Sequence, residues 1–569
     1  MLKKIIYTLL AIGSMNYSMQ AQEQRDLNKE IQVRTSYQPK INKASRIGEL
    51  PVILDTTSFT PNFTYFVLTR PLSVAFTPAV IPAAKIVGEP LKPIYSSSLS
   101  LAGGNYSSLF GDYRFNNQRS KTTDIGFHLR HYSTNGKLKL ENGNKEKPDW
   151  VEQLAEVYGS AYLEEGELSG RVFYQHLRYN YFGFPKSEDV GDIWQDLFPY
   201  EKQKQNIFGL SADFQSNLKD AEKPLFDIGL SFNHFADDIA VKENDLDIDA
   251  KAKIRHGDGF WSLLSKFEYF AIDGLNHWKG DEFIKERKTL KWSINPQYLL
   301  QTGRLNLKLG AHAVLAMGDD SKTKIYPDIS IDVNAVDGIL SLFAGIDGDL
   351  EMNKYKSIAK ENSFIFSGLN VLPSNKKYRL YGGVKGSISS KASFSLTAEY
   401  AAIDQQYFFV KTDIYPPDAV FFLPTYSNKF GVLYDDISLL KLQAEANIEW
   451  TDRLKLNSKF TFYHYSLNQL ADAWHKPQFE LNVNGNYQFT KELNFKVGVN
   501  IIGERPVLYS GQNQALDAVY DFNVGANYLF NEHFTTFVVV NNLFADRYYR
   551  WEGYPSQGFN FLIGVKILF

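Results

Sequence analysis

The feature that most constrains this chain is a two-residue alternation of apolar and polar side chains, which continues from about residue 95 to the C-terminus. Successive side chains of a β-strand point to opposite faces, whereas a helix would mix both sets around its circumference. The segment 437–450 shows the pattern most clearly. Its apolar members are Leu440, Leu442, Ala444, Ala446, Ile448 and Trp450, and its polar members are Lys441, Gln443, Glu445, Asn447 and Glu449. We therefore predict an all-β protein.

The same alternation recurs in other segments of ten or more residues, which are 244–255, 288–300, 304–315 and 477–489. Such segments are longer than the usual strand of a soluble protein and long enough to cross a bilayer when tilted. Short turns, such as those at Gly303 and Gly338, alternate along the chain with long connections. The long connections are 180–204, 272–287, 349–377, 403–436 and 543–557. Short periplasmic turns alternating with long outer loops are typical of outer-membrane barrels.

Counting strands by this alternation gives about 22, an even number that places both ends of the barrel on the short-turn side. We predict a transmembrane antiparallel β-barrel over residues 95–569. Its apolar faces would contact lipid and its charged faces would line an enclosed lumen. A barrel of this size encloses a wide lumen, which transporters fill with a plug.

The N-terminal part of the chain differs from the rest. Residues 1–21 have the form of a secretory signal peptide, with a basic start at Lys3 and Lys4, a short apolar run and Ala21 before the expected cleavage point. Residues 22–94 contain 8 of the 21 prolines of the chain. Because proline lacks the N–H group that a sheet needs, we predict an extended or irregular segment here, either periplasmic or inserted into the lumen.

The composition argues against several classes of chemistry. The chain has no cysteine, which removes disulfides, thiolate metal sites and cysteine nucleophiles, and its net charge of -3 does not suggest a nucleic-acid partner. His128 and His312 fall on predicted lumen faces, but their spacing is not that of zinc ligands. The acidic pairs Asp319-Asp320 and Asp435-Asp436 suggest either calcium sites or, more commonly, solvated turns. We predict no enzymatic activity, metal or cofactor.

Two of the long connections are rich in aromatic residues, which an unstructured surface loop would not carry in such number. Three explanations remain open: the rings pack on each other as a lid, they fold inward over the lumen, or they contact a ligand or partner. The predicted contact residues are Trp194 in 180–204, and Tyr407, Phe408, Phe409, Phe421 and Phe422 in 403–436.

The C-terminal strand ends the chain on an aromatic residue. The alternating stretch 559–569 includes Gly564, Ile567 and Phe569, which we predict as a signal for the barrel assembly machinery, because an exposed strand is a template for strand addition. The stretch Asn541-Asn-Leu-Phe-Ala-Asp-Arg-Tyr-Tyr549, followed by Tyr554-Pro-Ser-Gln-Gly558 and the closing strand, resembles the C-terminal end of TonB-dependent receptors. That resemblance implies a receptor or transporter barrel in a Gram-negative outer membrane.

The chain departs from that family in its N-terminal part, because residues 22–94 are much shorter than the family's plug. The residues Ile31, Gln32, Val33 and Arg34 look like the short extended stretch through which such receptors engage TonB by β-augmentation. The alternative is a chance alternating hexapeptide in a mobile terminus. The short plug region leaves energised transport in question.

Two functions follow from these observations. The first is an outer-membrane receptor or transport barrel that binds or moves a solute. The second is a non-transporting accessory or scaffold barrel that binds periplasmic or surface proteins in an outer-membrane complex. The expected partners are outer-membrane lipid, the barrel assembly machinery, and TonB or another periplasmic or surface protein.

Overall fold

The computed structural model describes residues 95–117, 120–139, 145–182, 202–217, 223–239, 241–273, 286–367, 369–411, 429–509 and 512–569. Several sequence predictions lie outside these residues. They concern the signal peptide 1–21, the segment 22–94 with its TonB-contact stretch Ile31 to Arg34, and the aromatic residues Trp194, Phe421 and Phe422. These remain predictions.

Twenty-two antiparallel strands of the described residues form one sheet. In chain order they are β1 (Ser97–Gly104), β2 (Leu109–Asn116), β3 (Thr123–Thr134), β6 (Trp150–Tyr162), β7 (Gly166–Asn180), β8 (Lys202–Ser216), β9 (Leu225–Asp237), β10 (Lys242–His256), β11 (Gly259–Asp273), β12 (Arg287–Thr302), β13 (Leu305–Gly318), β14 (Lys322–Val336), β15 (Leu340–Glu351), β16 (Ser374–Ser389), β17 (Ala392–Lys411), β18 (Phe430–Thr451), β19 (Leu454–Leu467), β20 (Phe479–Gln488), β21 (Leu493–Ile502), β24 (Val519–Asn531), β25 (Phe534–Asn541) and β28 (Asn560–Leu568). Each strand pairs with the next one in this order.

Short elements occupy some of the connections. Three two-stranded hairpins are formed by β4 (Leu138–Lys139) with β5 (Lys145–Glu146), β22 (Arg505–Tyr509) with β23 (Gln512–Leu516), and β26 (Tyr549–Trp551) with β27 (Tyr554–Pro555). A single short helix of the described residues, α1 (Tyr355–Glu361), lies between β15 and β16. No helix in the described residues is long and apolar enough to cross a membrane.

The sheet closes on itself where β1 pairs with β28 as well as with β2. Ser97 and Phe569 exchange backbone hydrogen bonds of 2.8 and 3.0 Å at the end of this seam. Gly564 is required here, since a Cβ at this position would lie 2.5 Å from both the Leu101 carbonyl oxygen and the Phe537 ring. Closure removes the unpaired edges of the sheet. The predicted count of about 22 strands, with both ends of the barrel on one side, is confirmed.

Side-chain burial is inverted relative to a soluble protein, in which charged residues are exposed and apolar residues buried. On β18, Lys441 is only 8% exposed while its neighbour Leu442 is 41% exposed. On β10, Asp245 is 1% exposed and Ile248 is 37% exposed. The charged faces therefore point into the barrel and the apolar faces point outward, as predicted from the alternation.

The connections at the end of the barrel where β1 starts and β28 ends are short, and Gly303 and Gly338 there adopt the left-handed φ angles of 35° and 69° that tight turns favour. The connections at the other end are longer. We call that end the mouth, and it corresponds to the predicted extracellular side. All five predicted long loops connect strands at the mouth.

The prediction of a loop over 403–436 is wrong in its extent. The strand β17 continues to Lys411 and β18 already starts at Phe430, so that Tyr407, Phe408 and Phe409 lie in a strand. A register shift between Ile403 and Gln406 explains the error. A β-bulge inserts a residue and breaks the two-residue alternation by which strands are recognised in the sequence.

We expect that Leu442→Arg destabilises the folded barrel by about 2–4 kcal/mol, because it places a charge on the lipid-facing side of β18. The matched control is Gln443→Arg, which points into the lumen, where the Gln443 amide already lies 3.0 Å from a Glu445 carboxylate oxygen. The measurement is urea unfolding in lipid bilayers followed by tryptophan fluorescence. Equal losses of stability in the two variants would contradict the assignment of faces.

Candidate functional site at the mouth of the barrel

The connection between β15 and β16, residues 352–373, folds into the barrel, and we call it the cross-barrel loop. Its helix α1 forms where Tyr355, Ile358 and Ala359 repeat at the three- and four-residue spacing of a helix face. All three side chains are at most 1% exposed. The buried face of a short amphipathic helix thus lies inside the barrel.

The cross-barrel loop reaches two opposite walls. The Tyr181 hydroxyl, just after β7, donates a 2.9 Å hydrogen bond to the Ile365 carbonyl. Phe430, which starts β18, accepts from Phe366 N–H at 2.8 Å and donates to the Phe364 carbonyl at 2.9 Å. Around the sheet, β7 is the fifth strand and β18 the sixteenth of 22, so they are half a circumference apart. The loop therefore crosses the lumen.

An apolar core surrounds this loop inside the mouth. Phe364 stacks on Tyr554 with ring centroids 3.6 Å apart, and Phe409 contacts Trp551 edge-on at 5.0 Å. The buried members of this core are Tyr179, Tyr181, Phe235, Val241, Phe270, Ile272, Tyr355, Ile358, Ala359, Phe364, Ile365, Leu369, Val371, Phe409, Phe430, Trp551 and Tyr554. Burying each large apolar side chain contributes roughly 1.5–3 kcal/mol, so the core holds the mouth closed around the loop.

The start of α1 is bound to the β10 wall by opposite charges. Lys354 Nζ lies 3.3 Å from a carboxylate oxygen of each of Asp245 and Asp247, and Lys356 Nζ lies 2.8 Å from Asp245. The Lys356 N–H donates to the Glu243 carboxylate at 3.3 Å. Burial alone would lower the pKa of Lys354, but the two aspartates outweigh it and raise that pKa. Lys354 therefore remains charged beside Asp245 and Asp247.

The end of α1 is bound on the opposite side. Glu361 accepts a 2.6 Å hydrogen bond from the Tyr407 hydroxyl of β17 and one of 2.8 Å from Lys476 Nζ, in the connection between β19 and β20. The helix is therefore held at both ends by charge pairs that face different walls. In this arrangement the loop blocks passage through the mouth.

The connection 468–478 forms a second cover. His475 is 3% exposed, and its Nδ1 donates a 2.8 Å hydrogen bond to the Phe409 carbonyl, whereas its Nε2 has no partner among the described residues. Burial lowers the pKa of His475 to about 3, and the nearby cations Arg505 and Lys476 act in the same direction. The imidazole is therefore neutral at ordinary pH.

The described aromatic residues of the sequence prediction pack on one another inside the mouth. Phe408 and Phe409 are fully buried, and Tyr407 binds Glu361. Their role as ligand or partner contacts stays a prediction. Phe409 belongs to the core around the cross-barrel loop, while Phe408 packs with Trp474 in the second cover.

The predicted acidic pairs have structural roles. Asp320 binds Arg287 at 2.8 Å and Thr289 at 2.9 Å, and Asp435 accepts backbone N–H groups of residues 468–470. Both aspartates are buried, so solvated turns do not describe them. In the described part of the chain, groups of three or more potential metal ligands are absent.

The two histidines predicted on the lumen side do line the lumen. His128 lies 2.7 Å from Asp112 and 3.0 Å from Glu156, within a charged network that includes Arg171. His312 Nδ1 lies 3.2 Å from the Gly348 carbonyl. At the seam, Gly564, Ile567 and Phe569 lie at the C-terminal end of the barrel, on or next to β28.

Sequence reasoning missed the charged residues that position the cross-barrel loop. Lys354, Lys356 and Glu361 lie in a connection that we predicted only as a long loop, and Asp245 was placed on a lumen face without a partner. The signal that identifies the helix is the spacing of Tyr355, Ile358 and Ala359 within that connection.

A closed 22-strand barrel with a charged interior is an architecture found among solved outer-membrane proteins. Solved structures with this fold include the siderophore receptor PirA from Acinetobacter baumannii (TM-score 0.64, 10% identity, 84% of this chain and 81% of that chain). They also include the FrpB iron transporter from Neisseria meningitidis (TM-score 0.63, 10% identity, 84% and 82%). The pyoverdine outer membrane receptor FpvA from Pseudomonas aeruginosa is a third (TM-score 0.61, 12% identity, 84% and 78%).

The likeness to these structures extends over most of the chain, and at this identity it establishes the fold. Neither a protein-family model nor a curated protein matches the sequence. The resemblance to TonB-dependent receptors, predicted from the C-terminal stretch, is confirmed for the barrel.

We expect the second cover to loosen as the pH falls from about 6.5 towards 3. A histidine whose folded-state pKa is lowered stabilises the fold above its unfolded pKa, and this stability is lost as the pH falls through that range. His475→Asn keeps an N–H donor, tolerates the left-handed φ of 59° at this position and does not titrate. The measurement is the quenching of tryptophan fluorescence against pH in detergent. His256→Asn, at an exposed turn, is the control, and a pH dependence that survives in His475→Asn would contradict the assignment.

Proposed function

We propose that this chain is an outer-membrane receptor barrel that binds a solute at the mouth and admits it through the lumen. The observation that carries this proposal is the mouth itself. A passive porin keeps an aqueous channel open, whereas here a loop crosses the lumen and a buried core surrounds it. A closed mouth over a wide polar lumen suits a barrel that opens for a selected solute.

The shared fold supports this proposal. PirA is a siderophore receptor, FrpB an iron transporter, and FpvA a receptor solved with bound pyoverdine. We also propose that this chain is not an enzyme.

The remaining parts of the chain fit the same proposal. Residues 1–21 would direct export, and residues 22–94 would reach the lumen from below. The stretch Ile31 to Arg34 would engage TonB by β-augmentation. The strand that ends on Phe569 would direct insertion by the barrel assembly machinery, and the apolar outer faces would contact outer-membrane lipid.

The accessory or scaffold barrel is the second candidate, and the strength of the packing in the mouth favours it. The side chains of Tyr355, Phe409 and Phe430 are at most 1% exposed, as in the core of a permanently folded domain. A mouth that never opens would leave the barrel as a platform for partner proteins.

We expect the mature chain to conduct ions poorly in a planar bilayer while the cross-barrel loop is intact, even after deletion of residues 22–94. Removal of both 22–94 and 353–372 should produce stable conductance, because it clears the lumen at both ends. The shortened loop is geometrically feasible, since Glu351 and Ser374 are paired across β15 and β16. Lys360→Ala, an exposed change within the loop, is the control.

The scaffold candidate is distinguished by its partners, because clearing the lumen would open the barrel in either case. It predicts that a pull-down from outer membranes recovers stoichiometric partner proteins. A pull-down without such partners would exclude it.

Coupling to TonB is tested separately by growth on restricted nutrient sources. Ile31→Pro combined with Val33→Pro removes two backbone donors that strand addition requires, and we expect it to abolish uptake. The matched control is the same double substitution to alanine, which keeps both N–H groups. Unchanged uptake in the proline variant would rule out coupling through this stretch.

A further inference from the structure

The two halves of the cross-barrel loop are attached by different kinds of contact. Residues 363–373 are joined to β18 through the main chain, because Ile365 forms a parallel bridge with Phe430. The two flanking hydrogen bonds, from Phe366 to Phe430 and from Phe430 to Phe364, measure 2.8 and 2.9 Å. This half of the loop is thus a short extra strand on the end of the β17–β18 hairpin.

Further hydrogen bonds to main-chain groups of the loop hold the same half in place. The Tyr434 hydroxyl of β18 accepts from the Leu372 N–H at 2.8 Å and donates to the Asn370 carbonyl at 3.2 Å. The Arg287 guanidinium at the start of β12 donates to the Val371 carbonyl. Because most of these bonds involve main-chain atoms or uncharged groups, a charged solute in the lumen would not compete for them directly.

The polar contacts of the α1 half with the barrel walls are mainly charge pairs. Lys354 and Lys356 pair with Asp245 and Asp247 of β10, and Glu361 pairs with Lys476. The apolar face of α1 packs in the core that surrounds both halves of the loop, so the charge pairs are what distinguish this half from the other. A helix of seven residues is far too short to be stable alone in water. It therefore persists only while its contacts with the barrel walls persist.

We propose that the cross-barrel loop is a gate with one fixed end and one releasable end. Residues 363–373 remain attached to β18, while α1 and its two lysines separate from the β10 wall to open the lumen. Separation would leave Asp245, which is 1% exposed in the closed form, without its two lysine partners. Partial separation is therefore costly, so α1 is either bound to β10 or fully released. This movement would serve the proposed transport function, on which it rests for its role. The attachment of the two halves of the loop can nevertheless be measured even if the chain transports nothing.

The test is hydrogen–deuterium exchange of the full-length protein in detergent, comparing Asp245→Asn with wild type. Loss of this carboxylate removes the partner that both lysines share. We expect amides of residues 355–362 to exchange at least about tenfold faster, while those of 363–373 keep their wild-type rate. The matched control is Asp227→Asn on β9, whose carboxylate pairs with Lys251 at 3.5 Å and does not contact the loop.

The reciprocal variant is Tyr434→Phe, which removes the hydroxyl that binds Asn370 and Leu372. We expect it to accelerate exchange in residues 369–373 and to leave α1 unchanged. If Asp245→Asn fails to reach the heat-modifiable folded form, the double variant Lys354→Met and Lys356→Met removes the same charge pairs from the loop side.

Two results would overturn the proposal. In one, amide exchange becomes faster in both halves of the loop in Asp245→Asn, which would mean that the whole loop opens as a single body. In the other, Asp245→Asn or the lysine double variant exchanges like Asp227→Asn, which would mean that charge does not hold α1 in place. Independent release of α1 in a chain that never conducts would support the gate and count against the transport function.

Discussion

The constraint on which the rest of the structure depends is that hydrocarbon offers no hydrogen-bond partners to a polypeptide backbone. Each unsatisfied N–H or C=O group costs several kcal/mol there, and an open sheet would present two whole rows of them. The seam between β1 and β28 removes both rows, from Ser98 opposite Leu568 to Gly104 opposite Leu562. Gly564 permits this closure, because no larger residue fits between the neighbouring strand and the Phe537 ring.

Closure in turn dictates what the interior contains. A strand places every second side chain inside, and with 22 strands the interior is too wide for those side chains to fill. The charged groups pair with one another along the wall, as Lys291 of β12 does with Glu268 of the neighbouring β11 at 3.0 Å and with Asp349 of β15, three strands away, at 3.3 Å. Such pairs satisfy the charged groups of the wall, but wall side chains alone do not reach the centre of so wide a lumen. The cross-barrel loop occupies that centre at the mouth.

The parts of this structure that could be predicted from the sequence are those that depend on local periodicity. Alternation along a strand is a property of neighbouring residues, so the faces of β10 and β18, the number of strands and the side that carries the termini all followed from it. The alternation failed to predict the end of β17, because Gln405, with a φ of 58°, forms a bulge that shifts the alternation beyond it. For this reason, Tyr407 to Phe409 were assigned to a loop.

The arrangement of the mouth could not be predicted in this way, because its contacts join residues that are distant in the sequence. Lys354 and Asp245 are 109 residues apart, and Tyr181 and Ile365 are 184 apart. Aromatic richness indicated that the connections at the mouth would pack, but it did not indicate which connection would cross the lumen. That choice depends on a helix of seven residues that only the surrounding walls stabilise.

The barrel wall and the mouth thus differ in how firmly they are held, and this difference makes a moving part compatible with a rigid barrel. Every wall strand is bonded along its length to two neighbours, so displacing one strand breaks two ladders at once. The cross-barrel loop is bonded to the wall at a few points, and the charge pairs between its helical half and β10 involve four side chains, Asp245, Asp247, Lys354 and Lys356. A local opening with a free energy below that of global unfolding is expected in such a segment. The lipid-facing ladder, which cannot open without exposing its backbone to hydrocarbon, remains intact while the mouth changes.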